Sequence, residues 1–325
     1  MTEDAQSETH LAEIRRAAAR IRSHVRRTPL LRTDIAPGLM VKPESLQLTG
    51  SFKARGAFNA VLCLIEREPD VSGVVTHSSG NHGQALACAA RAVGLPATIV
   101  VPYGVTPAKV AGIRSFGATV VTDGVTYDNR EAIAEEIAAS QGLRLIHPYD
   151  DWDVVHGAGT VGLEILEDTP APGAVVVPVG GGGQISGIAL ALSVLSPDTA
   201  IIGVEPESAA DAAESLRTGA LHSLDSDPAT LAEGVKSRSI GNRNFEVMVA
   251  GGLVRDIVTV SERELEDALR VAWTRLKLAI EPTAALALAA YLTGTVPAGS
   301  AEHPTVIVLS GGNFDPATVA ALLIG

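Results

Sequence analysis

Short runs of Val and Ile, closed off by Gly or Pro and separated by helix-length stretches of small residues, constrain this chain more than any other feature. GVVTHSS (73–79), ATIVV (97–101), ATVVTDG (118–124) and LRLIHP (143–148) come first. AVVVPV (174–179), AIIGVE (200–205), DIVTV (256–260) and TVIVLS (305–310) follow. A run that is apolar at every position has no side to offer to water, so it suits a strand covered by helices on both faces. That is the pattern of parallel sheets, and it predicts an α/β fold. Helices are predicted after Gly80, Thr106 and Thr126. Another is predicted over His10–Arg27, where Leu11, Ile14, Ile21 and Val25 recur at helical spacing. At 325 residues the chain is expected to form one large or two closely packed domains.

Charge and cysteine content narrow the function classes. With 25 basic against 37 acidic residues and a net charge of −12, a basic face for nucleic acid or an anionic membrane is not expected. Cys63 and Cys88 stand apart, without the spacing of a zinc site or a disulfide framework. The polar N-terminus MTEDAQSETH has no signal pattern, and no window reaches the roughly 18 unbroken apolar residues of a membrane span. A soluble, cytoplasmic protein is expected.

Two local features carry chemistry. The first is Gly180, Gly181, Gly182 and Gly183, between a buried strand and a helix. Without Cβ atoms, successive N–H groups crowd around an anion and the helix start adds its positive dipole end, so the loop reads as a phosphate cradle. Gly181, Gly183 and Ser186 also nearly spell a dinucleotide-binding fingerprint, with Glu205 ending the next strand as a ribose-binding acid would. A nucleotide-binding oxidoreductase therefore stays open at this point, as does a plain tight turn. The second feature is Lys53, one of only five lysines beside 20 arginines, set among Ser51, Phe52 and Gly56. A buried lysine, unlike an arginine, can lose its proton and attack a carbonyl to form an imine. A surface lysine at a helix start is the competing reading.

TGSFKARGAFNA (49–60), SSGNHGQALA (78–87), VPVGGGGQISGIA (177–189), GVEPESAAD (203–211), EPTAA (281–285) and LSGGN (309–313) occur in this order. Together they resemble the pyridoxal-phosphate (PLP) enzymes of fold type II, the tryptophan-synthase-β-like group, in the serine/threonine dehydratase and serine racemase branch. The resemblance runs from about Val25 to the last strand and leaves the nicotinamide reading without an explanation for the Lys53 frame or the terminal SGGN. It implies a large PLP-binding domain over 1–72 and 148–325, a small inserted domain over 73–147, and a homodimer. It also implies roles. Lys53 would hold PLP as an imine and handle the substrate's α-proton, with Phe52 packed beside the cofactor. Asn81 would meet the cofactor's 3-hydroxyl. Gly180–Gly183 with the backbone of Gln184 would hold the phosphate, although the family usually has an apolar residue where Gln184 stands. Ser310 would face the pyridine nitrogen, where a hydroxyl leaves the ring a weaker electron sink than a carboxylate would.

Ser78, Ser79, Asn81 and His82 would grip the substrate carboxylate at a helix start, and Ser79 aligns with the opposite-face acid/base of the racemases. His77 and His82 lack metal-ligand spacing and are expected to be structural. Glu205, the Ala209 carbonyl and Asp211 fall at the spacing of the Mg²⁺, Mn²⁺ or Ca²⁺ site of divalent-activated relatives, a set of oxygens that suits hard cations. The competing reading is a set of acids decorating a helix N-terminus. The implied activity is that of an ammonia-lyase: α,β-elimination from a β-hydroxy amino acid to a 2-oxo acid and ammonia. A racemase on the same scaffold is the alternative. HPYDDWDVVHGAGT departs from the family pattern at His156 and Ala158 and is bulky at Tyr149 and Trp152. These changes are expected to reshape the pocket toward a substrate other than threonine, such as 3-hydroxyaspartate, β-phenylserine or a hydroxyectoine-breakdown product. About a dozen residues follow Asn313, so the appended regulatory domain of biosynthetic threonine dehydratases, and feedback control by that route, are not expected.

Overall fold

A computed structural model describes residues 3–324, so Met1 and Thr2 of the polar N-terminal stretch lie outside it. Its strands are β1 (Leu31–Arg32), β2 (Leu39–Pro43), β3 (Val74–His77), β4 (Ala97–Val100) and β5 (Thr119–Val121). The chain continues with β6 (Arg144–Leu145), β7 (Ala174–Pro178), β8 (Ala200–Pro206), β9 (Asp256–Val260) and β10 (Thr305–Leu309). They form two sheets. One has the order β1-β2-β10-β7-β8-β9, the other β5-β4-β3-β6. Every pairing is parallel except β1 with β2. All eight Val/Ile runs of the sequence are strands, and β2, β7, β8 and β10 are buried at every position. Sequence patterning showed no sign of β1, whose two residues are half-buried and exposed.

The helices are α1 (Glu3–Ile21), α2 (Lys53–Arg67), α3 (Asn81–Ala92), α4 (Pro107–Ser115), α5 (Arg130–Gln141) and α6 (Trp152–Asp168). After these come α7 (Gly183–Leu195), α8 (Asp211–Thr218), α9 (Asn242–Phe245), α10 (Glu262–Val271), α11 (Pro282–Leu292) and α12 (Pro316–Ile324). Helix α1 starts earlier than expected and stops at Ile21, where the amides of His24 and Val25 turn back onto the Ile21 carbonyl. Helix α5 starts three residues after the expected point because Thr126 and Asn129 bond each other's backbone amides in a turn first. Among the described residues no helix is long and apolar enough to cross a membrane. Cys63 and Cys88 are unpaired.

Two backbone contacts at one crossing fix where α2 sits. A Cβ on Gly56 would lie 2.7 Å from the Val154 carbonyl oxygen, and one on Gly157 would lie 2.5 Å from the Arg55 carbonyl oxygen. Helices α2 and α6 therefore touch backbone to backbone, which larger side chains would forbid. At the same crossing lies a buried ionic cluster. The Arg55 guanidinium donates to both Glu44 oxygens at 2.8 and 2.9 Å and to both Glu164 oxygens at 2.7 and 2.8 Å. Lys42 Nζ donates to Glu164 Oε2 and to the Thr28 carbonyl, each at 2.6 Å. Burial alone would raise the Glu164 carboxyl, and the Arg55 and Lys42 cations reverse this and hold it below its ordinary range.

Two cations and two carboxylates balance, so the cluster tolerates burial only while complete. Arg55→Met is expected to destabilise the holoenzyme by about 3–5 kcal/mol in denaturant unfolding, the usual consequence of stranding buried carboxylates. A loss below about 1 kcal/mol would place the cluster in the weak, solvent-screened class.

Candidate active site

The C-terminal ends of strands from both sheets face one cavity of about 350 Å³. Its walls include Phe52, Lys53, Ser78, Ser79, Asn81 and His82 from one side and Gly180–Gly183, Gln184 and Ser310 from the other. All the residues expected at the cofactor and the substrate carboxylate therefore share one space. Glu205, Ala209 and Asp211 do not line it.

The TGSFK segment is pinned to the SGGN segment by backbone pairing. Phe52 N donates to the Ser310 carbonyl at 3.1 Å and Gly312 N to the Gly50 carbonyl at 2.8 Å. Lys53 then opens α2, with its amine inside the cavity 2.8 Å from the Pro148 carbonyl and 5.0 Å from the Phe52 ring centroid. Desolvation pushes the Lys53 amine down to about 8. A lysine in that range is a nucleophile and a base at accessible pH.

Asn81 begins α3, and its side chain is fixed at both ends. Asn313 Nδ2 donates to Asn81 Oδ1 and Asn81 Nδ2 donates to Glu281 Oε1, each at 2.8 Å. Asn313 Nδ2 also donates to the Thr49 carbonyl at 2.7 Å. Four of the six sequence motifs meet in this chain. Glu281 was visible in EPTAA but carried no expected role. It lines the cavity, and burial pushes its carboxyl up to about 7 against the downward pull of the Asn81 amide. His82 is buried, and neither of its ring nitrogens has a hydrogen-bond partner among the described residues. Burial and the neighbouring Lys53 charge hold it well below the ordinary histidine range.

The glycine loop is shaped by what it touches. Gly182 has φ +88°, a left-handed conformation that favours glycine. Gly181 packs against the Tyr149 ring so closely that a Cβ would collide with it. Its carbonyl accepts from Gly241 N at 3.1 Å and Asn244 Nδ2 at 2.6 Å. The first-turn amides of α7 have no intrahelical acceptor, as at any helix start, and these amides face the cavity.

A phosphorylated pyridine aldehyde fits this donor set. The site offers an amine of lowered basicity and a glycine cradle at a helix start. It also holds a Ser310 hydroxyl and a Gln184 amide that are buried without any partner among the described residues. Buried polar atoms without partners are rare in folded proteins and call for a ligand or ordered water.

Sequence reasoning missed Arg130. It is the first residue of α5, lines the same cavity, and stacks on Tyr127 at 5.1 Å. No carboxylate among the described residues pairs with it in an ion pair. Its only sequence signal is a helix-start position in the small sheet's last crossover.

Of the four positions in HPYDDWDVVHGAGT expected to reshape the pocket, only Tyr149 lines the cavity. Trp152, His156 and Ala158 do not line the cavity. Trp152 and His156 lie on the α6 surface that faces α1, where His156 Nε2 is 2.9 Å from His10 Nδ1 and the His10 and Trp152 rings approach to 4.5 Å. Glu205 accepts from the amides of Ala212 at 3.1 Å and Ala213 at 2.8 Å, so it caps α8 and is not placed like a ribose-binding acid.

Comparison with known proteins agrees with this geometry. Residues 21–311 match the family model described as pyridoxal-phosphate dependent enzyme. The chain is 42% identical to an L-threo-3-hydroxyaspartate ammonia-lyase from Pseudomonas sp over 96% of this chain and 98% of that protein. It is 41% identical to the serine racemase of Mus musculus, covering 94% and 91% of the two chains. The crystal structure of a T.th. threonine deaminase superposes with a TM-score of 0.87 at 43% identity, covering 94% of this chain and 98% of that one.

If desolvation sets the reactivity of Lys53, capture of added PLP by cofactor-free protein requires the neutral amine. Its rate is expected to rise with pH through about 8 and then level off, read by growth of the imine absorption band. Lys53→Ala is expected to show no such band. A wild-type rate that keeps climbing with pH well beyond 8, toward the ordinary lysine range, would mean the amine is not desolvated.

Proposed function

Because the chain belongs to the pyridoxal-phosphate dependent enzyme family, we propose that it is an ammonia-lyase whose preferred substrate is a β-hydroxy amino acid with a second carboxylate, of the 3-hydroxyaspartate type. The observation that carries this reading is Arg130, a guanidinium with no acidic partner in an ion pair among the described residues, in the same cavity as Lys53. Its planar fork suits a carboxylate. The 42% identity to the Pseudomonas enzyme supports the same substrate class.

Bound in this cavity, PLP would supply an electron sink for the charge left at Cα when the α-proton departs. Lys53 provides the imine-forming amine and, once released, the base for that proton. The amides at the start of α3, with Ser78, Ser79, Asn81 and His82, bind the α-carboxylate. Gly180–Gly183 and the Gln184 backbone would hold the phosphate, and Phe52, Asn81 and Ser310 would hold the pyridine ring through packing, its 3-oxygen and its nitrogen respectively. The Cβ–O bond would break, and the departing hydroxide would take a proton from the Ser79 hydroxyl in the cavity wall, a water or the cofactor phosphate. The released enamine tautomerises and hydrolyses to a 2-oxo acid and ammonia. Residues 73–147 and the rest of the chain form the two bodies on either side, and Lys109–Glu233 and Arg238–Asp128 pair across that division. Their closure would exclude water.

Purified holoenzyme assayed on L-threo-3-hydroxyaspartate, threonine, serine and β-phenylserine tests the substrate assignment. The hydroxyaspartate is expected to give the highest kcat/KM. Arg130→Met is expected to raise its KM roughly 10–100-fold, the worth of a charge-assisted hydrogen bond, with little change for serine. Equal losses on serine would remove Arg130 from substrate selection. The same scaffold with Ser79 admits racemisation, and the mouse relative is a serine racemase. Mirror-image serine in place of a 2-oxo acid from pure L-serine would favour that reading.

We further propose a divalent cation at Glu205, the Ala209 carbonyl and Asp211. Asp211 Oδ2 is buried without a hydrogen-bond partner among the described residues. Burial raises Asp211 to about 7, and burial with the Asp211 charge raises Glu205 well above the usual carboxylate range. A cation would relieve both. Chelation by EDTA is expected to lower Tm by several degrees, Mg²⁺ to restore it, and Asp211→Asn to abolish the response. An EDTA-insensitive wild type would leave Glu205 as a helix cap only.

A further inference from the structure

His77 ends β3, His147 follows β6, and Glu131 lies in the first turn of α5. The parallel register of β3 with β6, Val74 opposite Arg144 and Val75 opposite Leu145, brings the two histidines to adjacent strand ends. Helix α5 lies against both strands. One nitrogen from each ring and one Glu131 oxygen lie within 4.8 Å of one another. Sequence spacing could not show this, because 54 and then 16 residues separate the three.

Two observations point to a ligand. His77 is 5% exposed, and neither of its ring nitrogens has a hydrogen-bond partner among the described residues. The separation of His147 Nε2 and Glu131 Oε1 is 3.6 Å, too long for a good hydrogen bond. It is close to the ~3.4 Å that separates two ligands of one tetrahedral ion with bonds of about 2.1 Å.

We propose that His77, Glu131 and His147 form a site for a transition-metal dication of the Zn²⁺ class, and that its occupation inhibits the enzyme. Two imidazoles and one carboxylate suit zinc and not Mg²⁺, which sets this trio apart from the oxygen-only set at Glu205. Inhibition follows from the tautomer of His147. Its Nδ1 now accepts the Asp150 amide at 2.8 Å, and the Tyr149 amide approaches it at 3.4 Å. The ring therefore carries its proton on Nε2. To ligate through Nε2, the ring must give up that proton and take one on Nδ1 through solvent. Nδ1–H would then confront the Asp150 N–H, so metal capture opens the turn over 147–150. That turn presents the Pro148 carbonyl to Lys53 and the Tyr149 ring to Gly181. Arg130, next to Glu131, opposes a cation and keeps the affinity modest.

The test uses holoenzyme in excess Mg²⁺, which keeps the oxygen site occupied, with Co²⁺ as a spectroscopic probe and Zn²⁺ as its competitor. Wild type is expected to take up one Co²⁺ with tetrahedral d–d absorption and to release it to Zn²⁺. β-Elimination is expected to fall in step with occupancy. Glu131→Gln, which removes the anionic ligand from an exposed position, is expected to weaken binding and inhibition together by at least about tenfold, or ~1.4 kcal/mol. Equal binding in wild type and variant would overturn the site. Occupancy without loss of turnover would overturn the inhibition. The Co²⁺ arm needs no substrate. An enzyme inert on every amino acid tested would thus refute the lyase reading while leaving the metal site to be judged by its spectrum.

Discussion

The arrangement depends on the Arg55 guanidinium and its two carboxylates. Arg55 lies in the same first helical turn as Lys53, Glu44 directly follows β2, and Glu164 stands on α6. Four hydrogen bonds therefore lock two separate elements to the turn that carries the reactive amine. The backbone contact between α2 and α6 at Gly56 and Gly157 leaves no room for sliding. With α2 fixed, Lys53 reaches the Pro148 carbonyl only if the turn before α6 is in place. That turn is closed by the His147 ring, and Asp151 caps the helix behind it. Catalytic geometry is thus set by a chain of short-range constraints that begins in a largely buried ion cluster.

Much of this was legible because it is local. A strand buried on both faces must be apolar throughout, and β3, β7, β8 and β10 announced themselves that way, whereas β5, β6 and β9 were visible as Val/Ile or Leu/Ile runs yet keep exposed residues. The glycine loop was legible because a backbone that lies this close to Tyr149 and Asn244 tolerates no Cβ. The six motifs were legible as an ordered set, and the structure explains why they travel together. TGSFK, SSGNH, EPTAA and SGGN supply the consecutive links of one chain, Thr49 to Asn313 to Asn81 to Glu281.

What stayed hidden is what the topology alone brings together. Arg130 has no local signature, since a helix-start arginine is ordinary on any surface, and only the crossover from β5 to β6 aims it at the cavity. His77 and His147 are 70 residues apart and become neighbours through parallel pairing of two short strands. The bulky departures at Trp152 and His156 were misassigned for the converse reason. They follow the site segment in sequence, yet one helical turn rotates them onto α1, where His10 receives them.

The cavity's electrostatics then follow from the fold. The chain carries a net charge of −12, but the N-termini of α3, α5 and α7 all open onto this one space, together with Lys53 and Arg130. Each helix start adds partial positive charge, and Lys109, which also lines the cavity, is offset by its pairing with Glu233. Glu281 is the acid buried nearest Asn81, and burial has already moved it to about 7, so near neutrality it is partly uncharged and costs the site little of its positive potential. His82 stays neutral and adds no competing proton beside Lys53. A space built this way favours ligands with two or three anionic groups, such as a phosphate with one or two carboxylates. It also leaves a single desolvated amine as the group whose protonation can change most readily between steps.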